Sequence, residues 1–114
     1  MMHEFALAEE IVASLEKKLE DDFTKLIAIQ IEVGAFSGVV LESLNFGLEL
    51  VLKEKLTHHV ELRVNLQSAR VKCECGEGYT IQSVFEACPA CSSLNRAVET
   101  GTDVIIQSVD LADN

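Results

Sequence analysis

The four cysteines of this 114-residue chain lie between Cys73 and Cys91, in VKCECGEGYTIQSVFEACPACSS, as a Cys73-x-Cys75 pair and a Cys88-x-x-Cys91 pair. Two close thiol pairs on a short hairpin can offer four sulfurs to one tetrahedral ion, the coordination that structural Zn(II) takes. Gly76 and Gly78 after the first pair, and Pro89 inside the second, supply tight turns for wrapping a metal. The second pair has ordinary zinc spacing, whereas the first is one residue short of it. Side chains two apart in a regular strand share a face but are separated along it, so some local backbone distortion must bring Cys73 and Cys75 together. Other readings are four reduced, buried thiols, or a redox pair at Cys88 and Cys91. Four thiolates around one ion leave no open position for water or substrate, so the segment's work is architectural.

Histidine occurs only at positions 3, 58 and 59. The adjacent pair His58 and His59, at the start of a strand, would point its rings to opposite faces, which suits solvation better than chelation. His3 differs because it lies beside the terminus. An amine, deprotonated backbone amides and an imidazole can form a planar nitrogen set, which favours Ni(II) or Cu(II) over Zn(II). Taken alone, a start-proximal histidine is most simply a bystander. There is no Gly-rich phosphate loop, serine-elbow pattern or helix bearing two metal-ligand histidines, so nothing marks an enzyme.

These residues need elements to position them. Residues 5–20 read as an amphipathic helix, with Ala8, Ile11, Val12, Leu15 and Leu19 at helical spacing and Glu4, Glu9 and Glu10 near its positive end. Residues 21–24 read as a loop. Residues 25–33 switch to period two, placing Ile27, Ile29, Ile31 and Val33 on one face, and Gly34, Ser37 and Gly38 end that strand. A second helix is expected over 40–54 on Leu41, Leu44, Leu48 and Val51, with Glu42, Asn45, Glu49 and Lys53 on its wet side. Val60, Leu62, Val64 and Leu66 alternate cleanly over 59–67. A last strand, over 103–111, slips phase between Ile106 and Val109, which suggests a bulge near Gln107–Ser108. The pattern is α+β: a small three-stranded sheet covered on one face by two helices, with an inserted zinc-ribbon-like domain. Its expected boundaries are 1–69 with 100–114 for the main domain and 70–99 for the metal domain. The buried set should include Ile29, Ile31, Leu62, Val64 and Ile106.

A net charge of −10 argues against nucleic acid as a partner. No apolar run approaches the roughly 18 residues of a membrane span, and the acidic start lacks the basic region of a signal peptide. Close thiol pairs without an export signal point to a reducing, cytoplasmic setting, where they hold metal rather than form disulfides.

Read together, Met2-His3-Glu4-Phe5-Ala6-Leu7-Ala8, Ile31-Glu32-Val33-Gly34-Ala35-Phe36-Ser37-Gly38-Val39, Cys75-Gly76, Cys88-Pro89-Ala90-Cys91 and Val104–Val109 resemble, in order, the HypA/HybF family of nickel-delivery proteins. The similarity covers essentially the whole chain. It implies a nickel-binding α/β domain beside a zinc domain, and a metallochaperone rather than an enzyme. It implies His3 as the nickel-binding histidine, Glu4 as its companion through the local backbone, and Met1 and Met2 as sources of further nitrogen ligands. Cys73, Cys75, Cys88 and Cys91 correspond to the zinc cysteines. The implied partners are a HypB-like nickel-insertion GTPase and the hydrogenase large subunit, with urease maturation a further use in some members; a homodimer is compatible with it. A zinc-ribbon interaction module without specific nickel delivery is the alternative.

Overall fold

The computed structural model describes residues 2–113, with the backbone alone at Met2. In chain order the elements are α1 (Met2–Leu19), a 3-10 helix (Glu20–Lys25), β1 (Leu26–Gly34), α2 (Leu41–Lys55), β2 (Glu61–Gln67), β3 (Ala69–Cys73), β4 (Gly78–Ile81), β5 (Arg96–Val98) and β6 (Val104–Leu111). The strands form two three-stranded sheets, ordered β2-β1-β6 and β4-β3-β5. The architecture is α+β, with two helices, small sheets and a four-cysteine cluster. The chain divides into two compact units. One comprises Met1–Ile31, Val40–Val64 and Ile106–Asn114, and the other comprises Glu32–Val39 and Asn65–Ile105. The second unit contains the expected 70–99 segment and adds flanking residues, together with the stretch that follows Ile31.

In the first unit the helical stripes bury as their spacing requires. Ala8, Ile11, Val12 and Leu15 of α1 and Leu44, Leu48, Val51 and Leu52 of α2 are buried, with Ile29 and Ile31 of β1. The helices approach closely at Gly47, where an added Cβ would lie 3.2 Å from the Ala8 Cβ and 3.4 Å from the Phe5 Cα. Helix α2 has no capping side chain of its own at Val40. Glu4 of α1 supplies it, accepting a hydrogen bond from the Val40 N–H at 3.1 Å. An anionic carboxylate there also complements the helix dipole.

Several expectations are corrected. Helix α1 begins at Met2 rather than at residue 5, and the expected loop at 21–24 is a 3-10 helix that buries Phe23. At the start of β1 the burial phase is reversed: Leu26 and Ala28 are inside while Ile27 is 42% exposed. The alternation from Ile29 onward holds, and the strand runs on through Gly34. Leu62, Val64 and Ile106 face the expected way but are half-buried, and Leu66 is exposed. The sheet order explains this, because β2 and β6 are its two edges and only β1 has a neighbour on both sides. On β6 the phase slips where expected, with Gln107 and Ser108 both exposed between half-buried Ile106 and Val109. The outer helical face is less polar than expected, since Phe46 and Leu50 are exposed.

The second unit has its own core of Ala69, Val71, Cys73, Tyr79, Ile81 and Cys88, with Ala35, Phe36 and Val98 packed against it. β3 is the central strand. It pairs antiparallel with β4, Val71 opposite Tyr79, and with β5, Val71 opposite Val98. The segment after β1 is tied in through the backbone: the Gly34 N–H donates to the Asp103 carbonyl, Ala35 to Gln67 and Phe36 to Gly101, at 2.8, 2.9 and 2.8 Å.

Candidate metal centre

Cys73 ends β3, and the chain turns at once. The Gly76 N–H donates to the Cys73 carbonyl at 2.9 Å, and the Cys73 N–H donates to the Glu77 carbonyl at 2.8 Å. Gly76 has φ of +98°, a conformation that glycine adopts without strain. Cys75 therefore lies in the turn and not on the strand, so the short Cys73-x-Cys75 spacing no longer separates the sulfurs. This is the local distortion that the sequence required. On the other side, the Cys88 N–H donates to the Ser93 carbonyl at 3.0 Å, and the Ser92 N–H donates to the Cys88 carbonyl at 2.8 Å. These bonds fold Cys88–Ser93 into a second loop facing the first.

The four sulfurs converge, all within 4.8 Å of one another. Cys73 and Cys91 Sγ are 3.5 Å apart, and Cys75 and Cys88 Sγ are 3.7 Å apart. Zinc–sulfur bonds of about 2.3 Å in a tetrahedron place sulfurs about 3.8 Å apart, so the four residues fit a zinc ion. A disulfide needs about 2.05 Å, and all four cysteines are free. Cys73 and Cys88 are buried while Cys75 and Cys91 are exposed, so the site is closed from within and open to solvent on one side.

Electrostatics distinguishes the four thiols. Burial pushes the Cys88 thiol up, but the Cys91 and Ala90 amides and the neighbouring Cys75 and Cys73 sulfurs outweigh it, bringing the pKa down to about 7. At Cys73 the Cys75 amide pulls down, yet burial and the shared contacts with Cys91 and Cys88 leave the thiol raised. Cys75 and Cys91 are raised as well, despite the lowering contacts of the Glu77 and Ser93 amides respectively. One thiolate forms readily and makes the next ones harder to form, which is what four adjacent sulfurs do without a cation. A divalent ion held by Cys73, Cys75, Cys88 and Cys91 would offset that mutual repulsion and keep all four as thiolates.

The residues at the amino-terminal end are differently placed. His3 is exposed in the first turn of α1. Glu4 beside it is 1% exposed. The Val40 amide holds its carboxyl below the usual glutamate range, against the cost of burial. Its second oxygen, Oε1, is buried without a hydrogen-bond partner among the described residues. The Glu4 side chain thus caps α2, a role with no local sign in the sequence, because the partner amide lies 36 positions away. Met1 and the Met2 side chain, both expected near a nickel site, lie outside the described residues. His58 and His59 do not converge on a metal: His58 Nε2 is 2.6 Å from the Leu26 carbonyl oxygen. Among the described residues the four cysteines form the one cluster suited to an ion.

Residues 2–111 match the family model described as "Hydrogenase/urease nickel incorporation, metallochaperone, hypA". A hydrogenase maturation factor HypA from Picosynechococcus is 32% identical over 112 residues, covering 96% of this chain and 99% of that protein. A protein of the same description from Francisella philomiragia is 27% identical over 109 residues, covering 95% and 97%. The solution structure of the Ni metallochaperone HypA from Helicobacter pylori superposes with a TM-score of 0.64 at 16% identity, covering 97% of this chain and 98% of that one. At that identity the superposition speaks for the fold. With a family match over nearly its whole length, this chain belongs to the HypA family of hydrogenase maturation metallochaperones.

Proposed function

We propose that this chain takes up Ni(II) at its amino-terminal residues and passes it on during NiFe-hydrogenase maturation, with urease maturation as a further use. The observation that carries this reading is the setting of His3. It is exposed and lies in the first turn of α1, where backbone N–H groups have no carbonyl partner within the helix. Nickel that displaces those amide protons breaks no backbone-to-backbone hydrogen bond of the helix. If the chain starts at Met1, the nitrogen set is the Met1 amine, the Met2 and His3 amides and the His3 imidazole. If it starts at Met2, the Met2 amine, the His3 amide and imidazole and the Glu4 amide complete it. One oxygen of the Glu4 carboxylate is engaged with Val40 and the side chain is buried, which favours Glu4 as a backbone ligand.

Zn(II) held by Cys73, Cys75, Cys88 and Cys91 supplies a structural staple to the second unit and no open coordination position. The proposed partners are a HypB-like nickel-insertion GTPase and the hydrogenase large subunit, in the cytoplasm. Titration with Ni(II) against a weak competing chelator tests the reading. His3→Ala should weaken binding by more than the roughly 10–100-fold typical of an outer-shell partner; unchanged affinity would place nickel elsewhere.

A further inference from the structure

Solvent exposure divides the four converging thiols. Cys75 and Cys91 are exposed, whereas Cys73 and Cys88 are each 2% exposed. The sulfur contacts run across the two loops and join one of each kind. Cys73 Sγ lies 3.5 Å from Cys91 Sγ, and Cys75 Sγ lies 3.7 Å from Cys88 Sγ. The chain on either side of these contacts is held together by the protein itself. Cys73 stands opposite Arg96 where β3 pairs with β5. Just beyond it, the Glu74 N–H donates to the Asn95 carbonyl at 3.4 Å. The Asn95 side-chain amide donates in turn to Glu74 Oε1 at 3.2 Å.

Oxidants reach thiolates according to exposure. In the zinc-loaded chain, the exposed Cys91 or Cys75 thiolate attacks one oxygen of hydrogen peroxide. Its sulfur becomes a sulfenic acid, and the other oxygen leaves as hydroxide. The buried thiolate in contact with it then attacks the sulfenic sulfur, forming the S–S bond and expelling a second hydroxide. Each disulfide thus takes two electrons from sulfur and reduces one peroxide. Two disulfides consume all four ligands, and zinc leaves as Zn(II), its oxidation state unchanged. Pairing within each loop, which the Cys88-x-x-Cys91 spacing invites, would leave Cys73 and Cys75 to bridge Glu74 alone and would tie neither loop to the other.

We propose that the cysteine cluster is a hydroperoxide-sensitive element, which hydrogen peroxide converts to Cys73–Cys91 and Cys75–Cys88 disulfides, releasing zinc while the second unit stays folded. This rests on the reading of the four cysteines as a zinc site. The disulfides replace the ion as the link between the loops. Oxidised and chelator-stripped chains therefore differ, because only the first keeps its loops joined.

The test treats the full-length, zinc-loaded chain with hydrogen peroxide and follows zinc release with a chromogenic chelator. Disulfides are mapped after cleavage at glutamate, which separates Cys73 from Cys75 at Glu74, with tandem fragmentation to tell Cys88 from Cys91 in their shared peptide. The chain should lose its zinc at about two peroxides per ion, with Cys73 linked to Cys91 and Cys75 to Cys88. The amides of β3 should stay protected from hydrogen exchange after peroxide and lose that protection after chelation under reducing conditions. Zinc retained under peroxide, or a Cys88–Cys91 disulfide as the main product, overturns the proposal and leaves the zinc site standing. Unprotected β3 amides in the oxidised chain overturn it too, because the disulfides would not then replace the ion. A reduced chain that holds no zinc before treatment overturns both the proposal and the zinc reading.

Discussion

Glu4 and the cysteines show how one residue can serve two purposes. The Glu4 carboxylate closes the start of α2, while its amide belongs to the first turn of α1 beside His3. These roles separate in a Glu4→Gln variant. Because its pKa is lowered in the folded chain, Glu4 stabilises above the ordinary glutamate range, and that contribution is lost as pH falls through this range to the depressed value. Thermal melts of wild type and Glu4→Gln should therefore differ at neutral pH and converge under acid, as seen by circular dichroism. Nickel affinity should remain close to wild type if the amide is the ligand; a large loss would implicate the carboxylate. The cysteines were legible as a cluster suited to an ion because type and spacing declare them. Their packing role was not. Cys73 and Cys88 are each 2% exposed and sit in the core of their unit, so the alternation Ala69, Val71, Cys73 marked a strand that a purely metal-ligand reading passed over. Glu4's link to Val40 had no local signal at all, being a contact formed only when the two helices pack.

Among the elements, sequence periodicity gave both helices and the three long strands, because each has a single buried face. It could not tell a central strand from an edge strand, and this is where the expected burial of Leu62, Val64 and Ile106 was too high. The difference is measurable. Ile31→Ala, at 0% exposure, should cost about 2–5 kcal/mol in urea unfolding. Leu62→Ala on the half-buried edge should cost roughly half as much, because less apolar surface is removed from water. Equal costs would mean that β2 is better covered than its exposure indicates. The α1–α2 contact makes a second case. Replacing Gly47 with Val would gain helix propensity but force branched methyls against Ala8 and the Phe5 backbone. A net destabilisation of about 1–3 kcal/mol is expected. The displaced α1 turn carries His3, so nickel affinity should fall with it. A Gly47→Val protein as stable as wild type would show that α1 yields without cost.

For the whole molecule, the two units have separate cores and separate means of support. The first relies on helices packed on each other and on β1; the second has a small core and four sulfurs arranged for one ion. Stripping zinc with a strong chelator should unfold roughly residues 70–99 while the helical circular dichroism persists, and acid should act in the same direction because protons compete for thiolates. Loss of helix in step with zinc would show a single cooperative unit. The central claim is that one small chain holds two unlike metal sites, sulfur for a resident ion and nitrogen for a transported one. Native mass spectrometry after nickel loading tests it most directly. Wild type should carry one zinc and one nickel per chain, and His3→Ala should keep the zinc and lose the nickel. A His3→Ala chain that still binds nickel, or nickel found in place of zinc at the cysteines, would contradict it.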